Sequence, residues 1–230
     1  GLNGIRAMAA ISVIVSHIGL NLKLYRLPNF GGYSLASFGV TMFFALSGFL
    51  ITYLLIKEKE KTNDINVKKF YFRRFLRIWP LYYLYLVIVL LFIGTAISYK
   101  ALWMYILFLA NVPFVFNMTL PYLAHYWSVA VEEQFYLFWP WVIKKSKNIL
   151  RGVIIFATLF FVTKILLSLF NAPQFLLSLF HYTRFGCLAM GGIAAYLLVT
   201  QNQMFLKVCQ SKFSEVIAWI IFGLIAFDKF

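Results

Sequence analysis

Apolar residues in this chain gather in runs much broader than the single stripe that a soluble helix buries, and polar residues fall in short stretches between them. The runs predict membrane-crossing helices at 5–22, 36–56, 79–97, 127–143, 152–170, 183–200 and 213–227, several of them reaching the ~18–20 apolar residues that a bilayer core requires. A further apolar segment, "ALWMYILFLANVPFVF" at 101–116, is short for a crossing, is broken by Asn111 and Pro113, and carries Trp and Tyr of the kind that settle at membrane interfaces. The expected fold is all-α, a polytopic transmembrane helix bundle of about seven spans plus one interfacial or re-entrant segment at 101–116. One membrane-embedded domain is expected over 1–230.

Composition points the same way. The chain is 63% hydrophobic and only 12% charged, more apolar surface than a soluble domain of this length can hide from water. The net charge of +14 would suggest a nucleic-acid partner if the basic residues formed one patch. They lie instead between the apolar runs, as in the cytoplasmic loops of membrane proteins, so the expected partner is the lipid bilayer and not nucleic acid.

Charge also decides how 101–116 is read. Lys57, Lys59, Lys61, Lys68, Lys69, Arg73, Arg74 and Arg77 fall in 57–77; Lys144, Lys145, Lys147 and Arg151 in 144–151; Lys207 and Lys212 in 201–212. The alternate loops hold only Lys23 with Arg26, then Lys100, then Arg184. If 101–116 does not cross, all three basic loops share the cytoplasmic side with the N-terminus. The protein is therefore expected to be a multi-pass membrane protein with its N-terminus on the cytoplasmic side. No small-residue cleavage site follows the first run, which reads as a retained span rather than a signal peptide. The chain starts at Gly1 without Met and stops at Phe230 just after an apolar run, so the domain is expected to be incomplete at its C-terminal end. Cys187 and Cys209 have no metal-ligand spacing, and no metal is expected.

A few polar groups interrupt the apolar runs. In "GIRAMAAISVIVSHIGL", Arg6 and His17 are eleven residues apart, which on an ideal helix puts them on one face about 16 Å apart. Arg6 as an end anchor and His17 as a hydrogen-bonded interior histidine is one reading. Ionisable groups inside a membrane are also functional candidates by default, and a neutral imidazole is the commonest biological base. In "HYWSVAVEEQFYLFWP" (125–140), Ser128, Glu132 and Tyr136 follow one another at single helical turns. A lone pairing of Glu132 with an arginine of another helix competes there with a place on a chemical pathway. Glu133 points about 100° away, toward the expected interface, where it would be solvated. In "KKFYFRRFLRIWPLYYLYL" (68–86), Arg74 and Arg77 lie three apart before Trp79 and Pro80. This is either a basic membrane anchor or an anion site able to grip phosphates bidentately. Ser47-Gly48 reads as a close helix contact, since no Gly-x-Ser-x-Gly elbow surrounds the serine. His125 and His181 are expected at the outer interface.

Four blocks in order resemble the acyltransferase 3 family of bacterial membrane O-acyltransferases: "LNGIRAMAAISVIVSH" with its Arg6–His17 spacing, "FFALSGFLI" at 43–51, Arg74-x-x-Arg77 before Pro80, and "HYWSVAVEEQFYLFWP". The resemblance is carried by residues 2–140. It implies a place in the bacterial cytoplasmic (inner) membrane and transfer of an acyl group, usually acetyl, from cytoplasmic acyl-CoA to a hydroxyl of a carbohydrate such as cell-surface polysaccharide. On that reading His17 is the catalytic base or a transient acyl carrier, and Glu132 orients it or the acceptor. Arg6, Arg74 and Arg77 would hold the phosphates of the donor, acetyl-CoA. Family domains carry about ten spans, against about seven here. The alternative is a proton-coupled transporter or flippase for a lipid-linked or small polar substrate, with His17 and Glu132 relaying protons; neither internal repeats nor matched broken helices favour it.

Overall fold

The computed structural model describes residues 1–24, 33–93 and 98–226. Among them the chain is helical throughout: α1 Leu2–Leu24, α2 Tyr33–Thr62, α3 Val67–Ile93, α4 Tyr99–Ile106, α5 Asn111–Val115, α6 Tyr126–Lys145, α7 Ile149–Leu169, α8 Gln174–Thr183, α9 Phe185–Val199, α10 Gln203–Gln210 and α11 Lys212–Ala226. The expected stretches 94–97 and 227, and Arg26 of the first outer loop, lie outside the described residues.

Five stretches, Leu2–Gly19, Leu35–Thr62, Val67–Phe92, Ile149–Leu169 and Gln174–Val199, are long and apolar enough to cross a bilayer; α10 and α11, bent by 60°, make a sixth if taken as one span. Two predicted boundaries move. Much of the predicted loop 57–77 is helix, because α2 runs on to Thr62 and α3 starts at Val67. Likewise, α10 occupies most of the predicted loop 201–212, and Arg184 joins α8 to α9 in a left-handed conformation (φ 44°). α6, expected as the span 127–143, has the length but falls short in hydropathy. Glu132, Glu133 and Gln134 account for the shortfall, while Ala130, Val131, Phe135, Trp139 and Ile143 of the same helix are buried against protein.

The chain divides into two compact units, Gly1–Tyr53 with Cys187–Phe230, and Leu54–Gly186. In the first, α2 and α9 touch backbone to backbone. A Cβ at Gly48 would strike the Leu188 carbonyl, and one at Gly191 would strike the carbonyl of Ala45. The Ser47-Gly48 contact expected from the sequence is therefore real, and Leu188 is its partner residue.

In the second unit, α3 and α6 run antiparallel. Near the start of α3, the Tyr71 hydroxyl donates to the Leu137 carbonyl and accepts from Trp141 Nε1 at 3.0 Å. This contact lies in the turn of α6 disrupted by Pro140, whose missing N–H leaves the local ladder incomplete. At the other end the rings of Tyr82 and Tyr126 stand 4.2 Å apart.

The basic ends of the elements are tied together. Lys59 Nζ donates to the carbonyls of Ile143 (3.0 Å), Lys144 (3.2 Å) and Ser146 (3.0 Å), capping the C-terminus of α6 where carbonyls lack helical partners. Lys144 Nζ in turn reaches Asp64 Oδ2 at 2.8 Å and the Ile65 carbonyl at 2.9 Å. The Lys144 ammonium donating to it holds the Asp64 carboxyl below its usual range. The turns 63–66 and 146–148 thus lie at one end of the α3–α6 pair.

Both ends of 98–125 consequently lie at the other end of that pair. α4 and α5, eight and five residues long, are each too short to cross. Phe108, at φ 55°, separates them: its N–H bonds Tyr105 O and the Leu109 N–H bonds Met104 O, a helix-ending pattern that ordinarily takes glycine. The backbone around it is satisfied by side chains from both neighbouring helices. The Tyr82 hydroxyl donates to Tyr105 O (2.7 Å), Tyr83 to Ile106 O (2.8 Å), and Gln134 Nε2 to Phe108 O (2.9 Å). Asn111 and Gln134 exchange two amide hydrogen bonds, at 2.8 and 3.3 Å, which accounts for the asparagine that interrupts this apolar segment.

Candidate functional site

α3 and α6 enclose a pocket of about 500 Å³ lined by Lys68, Tyr71, Phe72, Arg74, Phe75, Trp79, Glu133, Tyr136 and Leu137. Its α3 residues recur at spacings of three and four, the period that puts side chains on one helical side. The pocket belongs wholly to the second unit.

Arg74 is half-buried, with its guanidinium carbon 5.6 Å from the centre of the Phe70 ring and 5.5 Å from that of Tyr136. Both contacts use ring faces and, among the described residues, leave the planar fork of donors unspent. Among the described residues no carboxylate closes an ion pair on it, although Glu132 and Glu133 both lie near enough to act on its charge. Tyr136 connects the two charges, since its hydroxyl donates to Glu132 Oε2 at 2.9 Å while its ring supports Arg74. The predicted Glu132–Tyr136 turn is therefore a contact. Ser128, predicted on the same stripe, donates to the His125 carbonyl at 3.0 Å.

Glu133 corrects the sequence reading. Rather than being solvated at an interface, it lines the pocket, and Trp79 Nε1 donates to its Oε2 at 3.0 Å. Its Oε1 is buried and has no hydrogen-bond partner among the described residues. Trp79 is itself wedged among Phe75 (centroids 4.8 Å apart), Phe108 (5.2 Å) and Tyr83 (5.8 Å). Helical spacing showed only that Glu133 lay about 100° from Glu132; the side on which α3 packs was not in that pattern. Lys68, a pocket-lining cation, was likewise lost within a run that read as an anchor.

Arg77 is exposed and is not among the pocket-lining residues. Arg6 and His17 belong to the first unit, on α1, where Arg6 is half-buried and His17 exposed. Arg74, Glu132 and Glu133 come together within the second unit. Among the described residues no three potential metal ligands of the His, Cys, Asp and Glu type converge.

Comparison with known proteins bears on the whole chain. It is 35% identical over 177 residues to the peptidoglycan O-acetyltransferase OatA of Listeria monocytogenes, covering 66% of this chain and 26% of that protein. It is also 35% identical over 191 residues to the O-acetyltransferase OatA of Staphylococcus aureus, covering 76% of this chain and 30% of the relative. The chain thus spans between a quarter and a third of the length of these relatives. No solved structure matches it significantly. A family model for an acyltransferase domain matches residues 1–230 from end to end, and the chain belongs to that family, acyltransferase 3.

Proposed function

We propose that the chain acts in a membrane O-acetyltransferase that moves an acetyl group from cytoplasmic acyl-CoA to a hydroxyl of cell-envelope carbohydrate. Relatives named for O-acetyltransfer, one of them to peptidoglycan, support the acceptor class. The observation that carries the donor is Arg74: a cation held by two ring faces, its N–H fork unclaimed among the described residues, in a pocket that also offers Lys68. Such a site suits the phosphates of acyl-CoA, because a guanidinium grips phosphate bidentately. Arg77 and Arg6 would add to the binding of the same anion.

The acceptor alcohol is a poor nucleophile until a base takes its proton. His17 takes that role as the hydroxyl oxygen bonds to the thioester carbonyl carbon. The C–S bond then breaks, and the proton leaves with the thiol. In the other form of the mechanism His17 carries the acetyl group between donor and acceptor. Glu132 orients His17 or the acceptor.

The test uses the full-length protein in membranes supplied with acetyl-CoA radiolabelled in the acetyl group. Label is expected in envelope polysaccharide and released by mild alkali, as an ester requires. Label no higher than in membranes lacking the protein overturns the reading.

A further inference from the structure

The pocket between α3 and α6 has polarity along its length. Lys68 and Trp79, both in its lining, lie eleven residues apart on α3, or about 16 Å along the axis. The Lys68 end carries the exposed ammonium. Arg74 lies midway, and the Trp79 end holds Glu133. Between these ends the walls are the rings of Tyr71, Phe72, Phe75 and Tyr136. A complementary ligand is elongated, anionic at one end, and carries an N–H or O–H donor at the other.

Glu133 supplies the reason for that last requirement. A buried carboxylate oxygen without a partner is costly, and such atoms in native structures call for an explanation. Oε2 is occupied by the Trp79 indole and Oε1 is not. An acyl-CoA has the matching order, with phosphates at one end and two amide N–H groups along its pantetheine arm.

We propose that Glu133 reads the pantetheine arm of the acyl donor: its carboxylate turns so that Oε1, closed to solvent in the structure, accepts a hydrogen bond from an amide N–H while Oε2 braces Trp79. The inference rests on the acyl-CoA reading above and assigns Glu133 a binding role distinct from that of the arginines. Glutamine in its place can still accept from Trp79 through its amide oxygen. It then presents an NH₂ where the ligand needs an acceptor, so brace and recognition can be separated.

The experiment measures, in membranes containing the full-length protein, the KM for acetyl-CoA and the inhibition constants of pantetheine and of 3′,5′-ADP. Glu133→Gln is expected to raise KM and to weaken pantetheine inhibition about tenfold, the effect of one lost hydrogen bond to a charged group. Its kcat should stay within about twofold, and 3′,5′-ADP inhibition should be unchanged. Lys68→Met should give the reverse pattern, losing 3′,5′-ADP and keeping pantetheine. Trp79→Phe, which removes the indole donor and keeps an aromatic wall, should leave pantetheine inhibition within about threefold. If Glu133→Gln does not accumulate in membranes, Glu133→Asp, which withdraws the acceptor by one methylene, replaces it with the same expectation. The inference is overturned if pantetheine does not inhibit the wild type. It is equally overturned if the Glu133 variant keeps its pantetheine constant, or if Trp79→Phe matches its loss. Wild-type membranes that transfer no acetyl group would instead remove the acyltransfer reading itself.

Discussion

Lys59 Nζ sits 3.0 Å from the carbonyl of Ile143, eighty-four residues away in sequence, and so joins the end of α2 to the end of α6. A charge that sequence reading counts toward membrane orientation is also a helix cap. Together with the Lys144 bonds to Asp64 and Ile65 it holds the turns 63–66 and 146–148 at one end, and this underlies the first prediction.

Single cysteines replacing Lys61, Met118 and Lys147, in a background lacking Cys187 and Cys209, are expected to label in two classes on intact cells with a membrane-impermeant thiol reagent. Positions 61 and 147 should behave alike and stay protected, as a cytoplasmic basic side demands. Position 118 should label. Labelling at 147 with protection at 61 would contradict the shared end.

Removing the Lys59 cap should cost stability. Lys59→Met leaves three carbonyls at the end of α6 without their donor, a loss of about 1–3 kcal/mol. The thermal midpoint in detergent is expected to fall, with Lys59→Arg intermediate. An unchanged midpoint for Lys59→Met would show that water caps the helix equally well.

The two arginines of the third helix should differ. Arg74 is half-buried in the pocket wall and Arg77 is exposed outside it. Arg74→Ala is expected to raise the KM for acetyl-CoA about tenfold with kcat nearly unchanged, and Arg74→Lys to rescue only part of this, since an ammonium lacks the planar fork. Arg77→Ala should give a smaller effect. Equal effects at both positions would argue against the pocket as the donor site.

His17→Ala in the full-length protein should lower transfer by about 10²- to 10⁴-fold, the usual cost of losing a general base, with membrane insertion intact. Retention of more than half the wild-type rate would remove His17 from the chemistry. Accumulation of acetylated enzyme in the absence of acceptor, lost in His17→Ala, would select the carrier form of the mechanism.

Much of this was legible beforehand for physical reasons. Long apolar runs leave no alternative to helices in a bilayer, since lipid offers no partner to backbone amides. The bias of Lys and Arg between runs then predicted that 101–116 turns back, as the antiparallel α3 and α6 require. What stayed hidden were relations across helices. Trp79 and Pro80 resembled an interface anchor until Trp79 was found bonded to Glu133. Phe108 carries none of the glycine or asparagine signals of a helix end, because its left-handed backbone is held by Tyr82, Tyr83 and Gln134 from the two flanking helices rather than by local preference.

That dependence orders events during biogenesis. α4 and α5 emerge from the ribosome after Tyr82 and Tyr83 but before Gln134, so for about twenty residues of synthesis one of their three supporting side chains does not yet exist. A backbone stretch with unmet carbonyls cannot wait in hydrocarbon, and must remain at the aqueous rim or inside the insertion machinery until α6 arrives. The 98–125 segment therefore docks only once α6 is present, and a stalled chain ending near residue 125 should be handled by the cell as misfolded although its first three helices are complete.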